Sequence, residues 1–127
     1  MRQHLLQWQW ELYPDGHTRR LTLAVHTFTT PLFIAGTILL ALSPLPFFGA
    51  GWHFAVAGLA FIASTVMLQG WTHKQENAKP VPFLGPFDFV SRFFVEQWVT
   101  FPRFVMSGKM FDAWRTSARS AGADKAR

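Results

Sequence analysis

The chain has 127 residues, half of them apolar and 17% aromatic, and only 15% charged against the usual quarter. That length holds a single domain, 1–127, and the absence of Cys excludes disulfides and thiolate metal sites. The formal charge of +5 comes from Lys and Arg that flank apolar stretches, which anionic lipid explains more simply than nucleic acid, so no nucleic-acid partner is expected.

Residues 3–13 open the chain. Leu6, Trp8, Trp10 and Leu12 alternate as in a strand, but Leu5, Trp8 and Leu12 also share a helix face, and a lone strand beside a membrane has no partner. A short interfacial helix is expected there, its Trp and Tyr at headgroup level. Pro14-Asp15-Gly16 breaks it. No Asp, Glu, Lys or Arg then occurs from Leu21 to Thr72. A soluble fold of this size needs a polar stripe on such helices, and none is there. The first span is expected at about 21–42, with Pro31 inside it, and the second at about 52–71, with Gly58, Ala60, Ala63 and Ser64 for close packing. Ser43-Pro44-Leu45-Pro46, with Gly49 and Gly51 beyond, is the turn. The acidic residues Glu11 and Asp15 before the first span argue against a cleavable signal.

Arg2, Arg19 and Arg20 precede the hairpin and Lys74 and Lys79 follow it, so the positive-inside rule places both termini in the cytoplasm of a bacterial inner membrane or of an endoplasmic reticulum. Residues 80–114 form an interfacial region. Pro86 opens a helix running to about Thr100, with Asp88, Arg92 and Glu96 at ion-pair spacing. Pro102 starts another segment, Ser107-Gly108 ends it, residues 109–118 form a last amphipathic turn or two, and 115–127 is a disordered tail. The expected fold is an all-α integral membrane protein: a two-span helical hairpin with interfacial or re-entrant amphipathic helices.

Five histidines are the candidate chemistry. His17, His26 and His73 all fall at the cytoplasmic end of the hairpin, while His53 lies at the other end and His4 near the terminus. On one straight helix His17 and His26 would point in opposite directions, so the chain must bend between them. Glu76 follows His73 by three residues and shares its face if the helix continues. Three imidazoles and a carboxylate suit Fe(II) or Zn(II), which makes His17, His26, His73 and Glu76 the candidate ligands. Gln69, one turn before His73, is placed either to orient its imidazole from behind or to pack as an amide between helices. Arg92 and Arg103 are candidates for binding a substrate carboxylate, or else pair with Asp88 or Glu96 or bind lipid phosphate.

His17-x8-His26-x4-Pro31, then Gln69-x3-His73 followed by Glu76 and Pro80, resembles the motifs of the membrane 2-hydroxy fatty acid dioxygenases, found in the fungal endoplasmic reticulum with many uncharacterised bacterial relatives. The likeness covers residues 10–105 loosely and the two motif stretches closely. Thr22 stands where the family usually has Asn, Thr72 where it has Gly, and Glu76 comes one residue early. The resemblance implies an Fe(II) cofactor, O2 as co-substrate and shortening of a 2-hydroxy fatty acid by one carbon. It makes His26 and Glu76 catalytic and His17, His26, His73 and Glu76 the metal site. Partners would be the fatty acid substrate and membrane lipid, with oligomerisation left open. The competing expectations are a non-catalytic lipid-binding or scaffolding hairpin and a bis-histidine haem protein.

Overall fold

The computed structural model describes residues 3–45 and 51–125, and every regular element among them is helical. Helix α1 (Leu5–Leu12) is followed by a 3-10 turn (Pro14–Gly16). Helices α2 (Arg20–Leu42) and α3 (Gly51–His73), each of 23 residues, come next and are long and apolar enough to cross a membrane. Their ends fall within two residues of the expected spans. Of the turn foreseen from Ser43 to Gly51, residues 46–50 lie outside the described residues.

The two long helices pack antiparallel because small residues face each other. A Cβ added at Gly58 would lie 2.6 Å from the Gly36 carbonyl oxygen, and one at Gly36 would lie 2.8 Å from that of Gly58. No other residue type permits this backbone approach. Nearer the His73 end, the Thr65 hydroxyl donates to the Thr29 carbonyl at 3.1 Å across the same interface. The outward faces are apolar: Phe28, Val56, Leu59 and Met67 are all exposed.

Residues 86–106 form one continuous helix, where two segments parted at Pro102 were expected. It consists of α4 (Pro86–Val95), a π turn (Glu96–Thr100) and α5 (Phe101–Met106). Pro102 explains the π turn. It has no N–H to offer, and its ring would strike the carbonyl four residues back in a regular helix. In the wider turn the Phe101 N–H bonds to the Glu96 carbonyl instead, five residues back. The chain then reverses at Gly108 (φ 79°) into α6 (Lys109–Lys125). The residues expected to be a disordered tail therefore continue this helix through Lys125. Its start is tied to α2, where Arg20 lies 4.9 Å from the Trp114 ring and donates to the Trp114 carbonyl.

A small apolar core of Tyr13, Leu23, Phe101 and Phe104 joins the 3-10 turn, α2 and α5 at the charged end of the hairpin. The histidine cluster sits against this core.

Candidate metal centre

His17, His26, His73 and Glu96 each offer one ligand atom, and these atoms lie within 4.8 Å of one another. His17 reaches the group because it stands outside α2. The 3-10 turn ends before it and its own backbone (φ −134°, ψ 54°) is non-helical, which supplies the bend that the nine-residue spacing demanded. His26 lies two turns inside α2, and His73 is the last residue of α3.

Backbone hydrogen bonds fix two of the three tautomers. The Nδ1 of His17 lies 2.8 Å from the Tyr13 carbonyl, and the Nδ1 of His26 lies 2.9 Å from the Thr22 carbonyl. A carbonyl only accepts, so each Nδ1 carries the proton and each Nε2 of the neutral ring presents a lone pair. These two Nε2 atoms are 3.3 Å apart, and the Glu96 Oε1 is 3.1 Å from that of His26 and 3.6 Å from that of His17. Three electron-pair donors thus converge, His17 and His26 fully buried and Glu96 partly so. A cation among them, a metal or protons, relieves their mutual repulsion. Ligands about 2.1 Å from one ion at angles of about 90–110° lie roughly 3.0–3.4 Å apart; the His17–His26 and His26–Glu96 distances fall in that range, and the His17–Glu96 distance of 3.6 Å is slightly wider.

Burial, followed by the neighbouring His26, lowers the His17 pKa and keeps its ring neutral. Burial opposes the charge on Glu96; hydrogen bonds and positive charge from His17 and His26 outweigh it and hold the carboxyl well below its ordinary range, which is the state with a proton, rather than a metal, on the facing Nε2 atoms. The Tyr13 hydroxyl, its pKa raised by burial and by Glu96, donates to Glu96 Oε1 at 3.2 Å while its ring stacks on His17 at 3.8 Å. Tyr13 is the only tyrosine in the chain.

Glu76, expected as the fourth ligand, is not in this group. The helix does not continue past His73: the Gln75 and Glu76 N–H groups bond three residues back, to Thr72 and His73, and the chain turns. That turn swings Glu76 to the start of α2. There one carboxylate oxygen accepts from the Thr18 hydroxyl (2.6 Å) and N–H (3.3 Å), and the other accepts from the Arg19 N–H (3.1 Å). Glu76 caps the positive end of α2 from another element and pins the backbone beside His17. Burial works against its charge. The Thr18 and Thr22 hydroxyls and the two N–H groups outweigh burial and lower its pKa.

Gln69 does not reach the His73 ring. Its amide bonds to Gln97 and Thr29. Neither arginine joins the cluster. Arg92 lies between the Trp8 and Phe83 rings, 3.7 Å from Asp88, and donates to the carbonyls of Val81 and Pro82. Arg103 stacks on Trp10 at 4.1 Å. The His53 ring lies against Trp52, tilted by 35°, far along α3 from His73.

A cavity of about 400 Å³, walled mostly by apolar atoms, reaches His17 from the surface between the 3-10 turn, α5 and α6. Pro14, Phe104 and Ala113 line it together with Lys109 and Asp112. No family model matches this chain, and no curated protein or solved structure matches it either.

Sequence reasoning overlooked Glu96 because its i, i−4 neighbour Arg92 offered an ordinary helical ion pair. The available signal was a carboxylate inside the aromatic run from Phe93 to Trp98, directly before Gln97 and a proline-disturbed turn.

Proposed function

We propose that this chain is an integral membrane metalloprotein, a two-span hairpin with both termini cytoplasmic, whose His17–His26–His73–Glu96 centre holds Fe(II) and shortens 2-hydroxy fatty acids by one carbon with O2. The observation that carries the metal reading is the convergence of two backbone-locked imidazole lone pairs on a carboxylate at 3.1–3.6 Å. Three nitrogens and one oxygen form a donor set suited to Fe(II), and four protein ligands leave positions open on an octahedral ion. The choice of Fe(II) and of substrate rests on the resemblance of the two histidine motifs to the membrane 2-hydroxy fatty acid dioxygenases. Bound iron would supply the Lewis acidity and redox capacity that a 2-hydroxy acid and O2 require.

The chain's own residues have separate tasks in this reading. The carbonyls of Tyr13 and Thr22 hold the imidazoles of His17 and His26 in the ligating tautomer. Tyr13, Phe101 and Phe104 keep water from that side of the centre. The cavity beside His17 admits the head group while the acyl chain stays in lipid. Lys109 on its rim is the cation for the carboxylate, in place of Arg92, which Asp88 and two carbonyls already occupy.

The haem alternative is weaker, because a porphyrin does not fit between imidazoles whose Nε2 atoms are 3.3 Å apart. A purely scaffolding hairpin has no use for three buried or half-buried imidazoles facing one carboxylate.

Metal analysis of the detergent-purified protein tests the reading, with His26→Ala and Glu96→Gln as controls. About one iron per chain in the wild type and little in either variant is expected. O2 uptake on 2-hydroxypalmitate but not on palmitate, with a product one carbon shorter, would support the activity. A wild type that takes up neither iron nor another transition metal from a defined buffer sinks the proposal.

A further inference from the structure

We infer that the buried amide pair Gln69–Gln97 positions the metal centre, fixing the register of the π turn and so the direction of the Glu96 carboxylate. The inference rests on the metal reading of the four-residue cluster. Gln69 Nε2 donates to Gln97 Oε1 at 3.0 Å, and Gln97 Nε2 returns a bond to Gln69 Oε1 at 2.8 Å. Thr30 donates to Gln97 Oε1 at 2.8 Å, and Gln69 donates to the Thr29 hydroxyl at 2.8 Å. Both amides are fully buried, 0% exposed.

The placement of these residues follows that of the ligands. His26 and Thr30 lie one turn apart on α2, Gln69 and His73 lie one turn apart on α3, and Gln97 directly follows Glu96. Each of the three helices that supplies a ligand therefore supplies a member of the amide network next to it. His17, on the loop, is held separately by the turn that Glu76 caps.

A π turn needs such a device. Slipping its register by one residue rotates the side chains by roughly 100°, which would aim Glu96 away from the imidazoles. The neighbouring apolar contacts do not oppose a slip strongly. Phe93, Phe94 and Phe101 pack on Phe33 and His26 by shape alone, and one phenylalanine serves about as well as another. Directional hydrogen bonds do discriminate, because a misplaced turn would leave two buried amides unsatisfied, and a buried polar group without a partner loses its hydration with nothing in return. This explains why two amides stand where leucines would pack more simply.

The test uses the full-length protein in detergent, loaded with Co(II) as a spectroscopic stand-in for iron. Gln97→Leu and Gln69→Leu should each weaken Co(II) binding by about 10–100-fold, the range for groups that orient ligands, and change the visible absorption bands of the bound ion. Gln69→Leu/Gln97→Leu removes both partners, so no amide is orphaned. Its melting temperature should return toward wild type while Co(II) affinity stays low. Should either single variant fail to fold, Thr30→Val supplies the comparison: a several-fold loss of affinity, restored by Thr30→Ser. A double variant with wild-type Co(II) affinity and spectrum would overturn the inference, since apolar packing alone would then aim Glu96. Wild-type behaviour in Thr30→Val would overturn it too. A wild type that binds no Co(II) would instead mark the failure of the metal reading, before any variant is compared.

Discussion

Two glutamates compete in the sequence for the same imidazoles, and the turn after α3 decides between them. Glu96 meets His26 at 3.1 Å, whereas Glu76 spends both oxygens on Thr18 and Arg19. Their substitutions should therefore separate. Glu96→Gln is expected to lower metal affinity by more than about 100-fold, and Glu76→Gln by only about tenfold, the scale of an indirect effect on His17. Equilibrium dialysis against iron or Co(II) checks the order, and a reversed order would restore Glu76 as the ligand. Glu76 also has an acid signature. Its pKa is lowered in the folded chain, so the stability it contributes is complete above the ordinary value of about 4.3 and is lost as pH falls through the lowered one. Thermal melts of the metal-free protein between about pH 6 and pH 3 should fall less steeply for Glu76→Gln than for the wild type. At the cavity, reversing the charge with Lys109→Glu should raise KM for 2-hydroxypalmitate about tenfold while iron content stays at the wild-type level; an unchanged KM would remove Lys109 from the substrate site.

The helices locate the candidate ligands through two irregular features, one of composition and one of geometry. The contact of Gly36 with Gly58 sets the α2–α3 spacing, and His26 and His73 inherit that spacing farther along the same interface. The atoms a Cβ would strike are backbone, which cannot swing aside. Gly58→Ala should therefore destabilise the hairpin by about 1–3 kcal/mol, the overpacking range, and weaken metal binding from a distance. Gly70→Ala is the control, because nothing lies within 4 Å of its Cβ position and the helix should gain slightly. Equal melting temperatures for the two variants would show that the helices do not bear on each other at Gly58. The π turn is the second feature. Pro102 marks a disturbance in the sequence, but a proline there is compatible with a break, a kink or a wider turn. The packing of Gln97 against Thr30 and Gln69 accompanies the last of these.

Over the full chain, apolar side chains face outward along α2 and α3, and the polar groups gather at one end of the hairpin. This is the inverse of a water-soluble bundle and suits helices surrounded by lipid. The proposed orientation can be read directly, because the chain has no cysteine and an introduced one gives no background. Cysteines replacing Ser43 and Arg119 should react with a membrane-impermeant reagent from opposite sides, with Arg119 on the cytoplasmic side. Labelling of both from one side would end the hairpin topology.

The sequence by itself determined the two long helices, their ends and the meeting of three histidines, because each follows from a local or one-dimensional property. Charge-free length defines the helices, Pro14-Asp15-Gly16 bends the chain before α2, and a hairpin of equal arms returns His73 to the level of His26. Only the tertiary structure decided the fourth donor, the role of Glu76, the partners of Gln69 and the helix that replaced the expected tail. Those depend on which way a side chain points after a turn. One residue of slip in a π turn, or one missing turn of helix after His73, redirects a carboxylate by about 100° without changing hydrophobic periodicity.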